Sequence, residues 1–117
     1  MDATRPVRSN GGMILHTMLV SFDDAIPDAE LDQFLADIEG VVRASGLAQT
    51  ITSQRHLPVP GEDEIPAMIA TAVLQFGVAD LESLAALFAA PGAGEVIGTW
   101  RARHPYKVAW VNHEALS

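Results

Sequence analysis

Residues 13–22 read MILHTMLVSF, an apolar run with one imidazole, His16, at its centre. Burial penalises the charged form of a histidine, so an imidazole held here stays neutral. A neutral ring can hydrogen-bond a ligand phenol or carbonyl, or act as a lone general base. The other reading is structural: a buried histidine bonded to a backbone carbonyl or to the neighbouring strand, as buried polar groups usually are. The sequence alone leaves both open.

The remaining candidates do not assemble into a recognised centre. His56, His104 and His113 fall on separate segments with no HxH or i,i+4 pair, so no metal site is expected. Glu62, Asp63 and Glu64 are adjacent carboxylates in a proline-rich loop and read as hydrated. The stretch RARHPYK at 101–107 could dock an anionic group, but cations also gather where a helix ends and its dipole favours them. Trp100 and Trp110 fit core packing, an interface, or a lid over an aromatic ligand. GAG at 92–94 lacks the residues that make a phosphate-binding loop. No cofactor is called for.

The elements that must position these residues follow from periodicity. Alternation over Ile14–Phe22 predicts a strand with Ile14, His16, Met18, Val20 and Phe22 on one face. Pro27-Asp28 opens a helix whose apolar stripe is Leu31, Phe34, Leu35, Ile38 and Val42, and Gly46 closes it. Residues 47–57 suit a polar strand, and PVPGEDEIP a loop without regular structure. Residues 67–76 predict a buried strand. Asp80 caps a second helix with Leu81, Leu84, Leu87 and Phe88 as its stripe. After the Pro91-Gly92 break, a further turn or two reaches Arg103, and KVAWVNHE forms a last strand with Val108, Trp110 and Asn112 on one side. The order β-α-β-β-α-β is the ferredoxin-like α+β arrangement, a four-stranded antiparallel sheet with helices on one face. Several strands are apolar on both faces, so the uncovered face predicts a homodimer joined sheet to sheet.

At 117 residues the chain has the size of one domain, and 49% hydrophobic residues suffice for a core. Fifteen acidic residues against seven basic ones give a net charge of −8, which argues against nucleic acid or an anionic membrane as partner. The absence of cysteine removes disulfides and thiolate chemistry. Residues 1–12 read as a flexible leader, equally compatible with a tag or an upstream start, and the domain is expected over 13–117. With no signal-peptide core and no long apolar run, a cytoplasmic protein is expected.

Within this order, MILHTMLVSF resembles the opening strand of the stress-responsive A/B barrel (Dabb) proteins, a branch of the dimeric α/β-barrel superfamily. The resemblance continues through VLQFGVADLESL, ALFAAPGAGEV and VAWVNHE, covering about residues 13–114. It implies two sheets closing a barrel, with a pocket in each subunit between helices and sheet. In the plant polyketide cyclase of this group, the first-strand histidine lines the pocket, and a later histidine acts as base with a tyrosine nearby. Carried over by position, the first is His16. The histidines flanking the proline fall on Ala90 and Ala93, and the two pocket tyrosines on Leu87 and Ile38. Alanine and leucine carry no proton, so the cyclase's acid–base pair is missing at these positions.

The reading that results is a protein binding a small, mostly apolar molecule, aromatic or polyketide-like, near His16. The pocket is expected from His16, Met18, Phe34, Leu35, Ile38, Leu87, Phe88 and Trp100. The alternative is a cofactor-free monooxygenase, isomerase or cyclase with His16 as general base. A third reading is a structural dimer without a ligand.

Overall fold

In the computed structural model, residues 12–115 are described; the expected leader lies, except for Gly12, outside the described residues. Strand β1 spans Ile14–Phe22 and helix α1 Asp28–Ala44. Strands β2 and β3 span Ala48–Arg55 and Ala72–Val78, and a 3₁₀ turn at Glu62–Glu64 lies between them. Helices α2 (Leu81–Phe88) and α3 (Ala93–Arg103) lead into strand β4, Tyr106–Glu114. The four strands form one antiparallel sheet in the order β2-β3-β1-β4, so the strand of His16 is central and β4 is an edge. This is the ferredoxin-like α+β fold expected from the pattern.

Local chemistry accounts for the boundaries. The Pro27 carbonyl accepts from the amides of Glu30 and Leu31 to start α1. At its other end, Ser45 Oγ donates to the Val42 carbonyl and Gly46 takes a φ of +73°, a conformation glycine adopts without strain. Asp80 caps α2 by accepting from the Ser83 amide at 2.7 Å, and that bond holds its carboxyl below the usual carboxylate range.

Three expectations need correction. The strand expected over 67–76 begins at Ala72 and runs on to Val78. Its register is fixed against β1, where Val20 faces Ala72; the ladder between the two strands ends there, with the Thr71 amide donating to the Val20 carbonyl, and residues before Thr71 lie beyond it. Met68 and Ile69 are exposed. The stretch after Gly92 is a full 11-residue helix rather than a turn or two. Trp100 anchors it, buried against Phe34 and donating Nε1–H to Asp37 Oδ2 at 2.9 Å. The proline-rich loop contains one 3₁₀ turn, tied to the end of β2 by His56 and Glu62 at 2.8 Å.

The helices cover one face of the sheet with two adjoining apolar clusters. One gathers Val20, Leu31, Phe34, Leu35, Leu74, Trp100 and Tyr106; the other gathers Val42, Phe76, Val78, Leu84 and Leu87, and Ile38 packs against both. The opposite face is uncovered in the single chain. Leu19 and Val111 are 46% and 55% exposed there. Between them runs a hydrogen-bond chain. Gln75 Nε2 donates to Thr17 Oγ1 at 2.9 Å, and Thr17 lies 2.8 Å from His113 Nε2. His113 Nδ1 donates to the Glu114 carbonyl at 3.1 Å, so its Nε2 accepts from the Thr17 hydroxyl.

Candidate functional site

On β1, alternation turns His16 toward the helices, directly opposite Phe76 on β3 and Asn112 on β4. Its exposure is 1%, the one polar side chain buried with the core among the described residues. Asn112 Oδ1 lies 2.6 Å from His16 Nδ1. An amide oxygen only accepts, so Nδ1 carries the proton and Nε2 keeps its lone pair. Among the described residues Nε2 has no hydrogen-bond partner. Three aromatic rings surround the imidazole: Phe76 at 4.8 Å, Trp110 at 5.0 Å and Phe88 at 5.2 Å between centroids. This burial pushes the His16 pKa below its ordinary value of 6.5, against a smaller upward pull from Asn112. The ring is neutral at neutral pH.

Beside it lies a cavity of about 120 Å³ bounded by β1, β3, β4, α1, α2 and α3. Of the residues expected at the pocket, His16, Met18, Ile38, Leu87 and Phe88 line it. Phe34, Leu35 and Trp100 do not; they fill the neighbouring apolar cluster beneath Val20 and Leu74. They share α1 or α3 with true lining residues, but sit on turns that project onto the other half of the sheet. Phe76, Val41, Val96, Ile97 and Trp110 take their places, and Asn112 supports the histidine. The alternation of β4 puts Trp110 and Asn112 on one face, and the long-range pairing of β4 with β1 sets Asn112 opposite His16.

Ala93, one of the positions where the cyclase has a histidine, lines the cavity with a methyl group, and so do the side chains of Ile38 and Leu87 at the tyrosine positions. Among the described residues, His16 is thus the one titratable side chain on the cavity wall. Two wider grooves, of about 370 and 450 Å³, run along Arg55, His56 and the 58–71 segment, but both are shallow and neither contains a buried titratable group.

The other candidates are occupied structurally. Arg101 lies over the Tyr106 ring at 4.9 Å and Arg103 over Trp100 at 4.7 Å. His104 Nε2 lies 2.7 Å from Glu30, and Lys107 lies 3.6 Å from Asp23. The basic stretch therefore packs and pairs rather than forming an open anion site. Among the described residues, no group of three or more metal-ligating side chains is brought together. No described helix is long and apolar enough to cross a membrane.

No family model and no curated protein matches the sequence. Solved structures do match. A Dabb family protein with a ferredoxin-like fold from Mesorhizobium loti is 17% identical with a TM-score of 0.70, over 91% of this chain and 99% of that one. Hydroxynitrile lyase from Passiflora edulis is 14% identical with a TM-score of 0.72, over 92% and 96%. SnoaB, a cofactor-independent oxygenase from Streptomyces nogalater, is 14% identical with a TM-score of 0.66, over 91% and 95%. At such identities the likeness shows the fold. The chain has the fold of a Dabb protein, as MILHTMLVSF implied, and fold alone does not carry a reaction. Other matched structures are described as dimeric proteins.

Proposed function

We propose that the chain binds a small, mostly apolar molecule, aromatic or polyketide-like, in the cavity beside His16, with Nε2 accepting a hydrogen bond from a ligand hydroxyl. One observation carries this reading: a neutral, buried histidine whose Nδ1–H is held by Asn112 and whose Nε2 has no protein partner, on the wall of an otherwise apolar cavity. A purely structural histidine would be expected to use both nitrogens. The same geometry favours a second reading, in which His16 removes a proton from the ligand as general base. Asn112 fixes the tautomer, and the apolar walls exclude water. That two matched structures are a lyase and a cofactor-independent oxygenase agrees with it.

The working form in this proposal is a homodimer through the open sheet face, supported by exposed Leu19 and Val111 and by the dimeric matches. A cytoplasmic setting belongs to the same reading, in keeping with a chain free of cysteine.

Thermal unfolding of wild type and His16→Ala against phenols, aromatic ketones and polyketide-like compounds tests binding. A ligand at a hundred times its Kd stabilises wild type by about 2.7 kcal/mol. The expected result is a shift in wild type that His16→Ala loses. A shift of equal size in both proteins would place the ligand elsewhere and end the reading. Turnover of any hit, rising as His16 loses its proton, would establish the second reading.

A further inference from the structure

Phe88 and Trp110 reach the cavity from opposite walls: Phe88 is the last residue of α2, and Trp110 lies on the edge strand β4. Their rings stack, 14° from parallel with centroids 5.5 Å apart. Each also meets the His16 ring at a steep angle, 70° for Phe88 and 60° for Trp110. Yet both are half in solvent, at 47% and 58% exposure, while the imidazole they touch is buried. The stacked pair thus stands between His16 and water on its side of the cavity. Neither ring belongs to either apolar cluster, so neither is fixed by the core.

The cavity behind the pair is small. A dry cavity of about 150 Å³ accepts benzene, and this one measures about 120 Å³. With the pair closed there is room for roughly one ring. A rigid second ring needs more room than that, and Phe88 and Trp110 are the half-exposed aromatic walls nearest His16.

We propose that Phe88 and Trp110 are the specificity-determining residues of this site: their stack limits the ligand to a single hydroxylated aromatic ring beside His16, and parting or trimming it admits fused rings. This rests on the binding reading above and sharpens it to a class, planar phenols, whose O–H can donate to Nε2 and whose face can lie against aromatic walls.

Phenol and 2-naphthol are the probes. Their Kd values are measured by calorimetry on the full chain for wild type, Phe88→Ala, Trp110→Ala and His16→Gln. Wild type is expected to prefer phenol. Phe88→Ala and Trp110→Ala, on different elements, are each expected to move the preference toward 2-naphthol by roughly tenfold, the upper worth of an aromatic pair. His16→Gln is expected to weaken both probes alike and leave their ratio unchanged. Binding of 2-naphthol by either trimmed variant but not by wild type also supports the gate. Phenol binding that depends on His16, with a ratio unmoved in both trimmed variants, overturns the gate and leaves the site reading intact. Failure of all four proteins to bind either probe overturns both. Because Phe88 and Trp110 are half exposed, their truncation should spare the fold, which circular dichroism checks.

Discussion

His16 and His113 occupy neighbouring strands of one sheet and differ by a single step of alternation. His16 faces the helices, and His113 faces the open side. Each donates Nδ1–H to an oxygen, Asn112 Oδ1 for one and the Glu114 carbonyl for the other. The difference lies at Nε2. On His113 the Thr17 hydroxyl occupies that lone pair, and Gln75 holds Thr17 in place, so the ring is a link in a chain. On His16 the same atom has no protein partner and lies in a water-poor, aromatic setting. A histidine's capacity for chemistry here is decided less by burial than by which of its nitrogens the fold leaves unoccupied.

The comparison can be broken most directly by truncating each ring. His16→Ala removes a core ring and its contacts with Phe76, Phe88 and Trp110; about 2–4 kcal/mol of stability should go, measured by urea unfolding at low protein concentration. His113→Ala, at the same low concentration where the dissociated chain leaves that face open to water, should change stability by only about 0.5 kcal/mol. Equal losses would mean that the two histidines play the same structural part.

Asn112→Ala should cost about 1–2 kcal/mol by leaving a buried Nδ1–H without an acceptor. It should also release the tautomer, so that ¹⁵N spectra of His16 move from a single Nδ1–H form to a mixture. A spectrum unchanged from wild type would show that Asn112 does not set it.

The pH dependence sharpens the contrast further. The folded pKa of His16 is lowered, so the unfolded chain binds a proton that the folded chain refuses. Its contribution is fully present above about 6.5, the ordinary value, and is lost as pH falls toward the depressed folded pKa. Between pH 7 and pH 5, wild type should lose more stability than His16→Gln, by at most about 1.4 kcal/mol per pH unit. Parallel curves would remove His16 from the account. The smallest effect is expected of Thr17→Val, which cuts the open-face chain; in the dissociated chain, where water can replace the hydroxyl, the loss is about 0.5 kcal/mol or less.

Much of this was legible in the residues. Period-two alternation in β1 placed His16, Met18 and Val20 together, and capping chemistry at Pro27, Gly46 and Asp80 marked the helices. The pocket was legible only in part, because a helical stripe tells which face is buried but not which half of the sheet lies beneath it. Phe34 and Ile38 are one turn apart on the same stripe, yet Ile38 lines the cavity and Phe34 does not. The role of Asn112 was hidden for a related reason. Strand pairing between residues 96 positions apart depends on register, which no local pattern encodes. The apolar run 67–71 misled because hydrophobicity marked it as strand, whereas the ladder between β1 and β3 begins only at Ala72.

The edge position of β4 also bears on when the site comes into being. Both Asn112 and Trp110 come from this strand, and Asn112 lies 96 positions along the chain from His16. Until β4 docks, the imidazole has no tautomer-fixing acceptor and only Phe88, without Trp110, between it and solvent. Edge strands are among the parts of a sheet that open locally without global unfolding. The lifetime of a competent His16 is then the lifetime of β4 on the sheet, and amide exchange along Tyr106–Glu114 should report how often the site is dismantled and rebuilt in an otherwise intact protein.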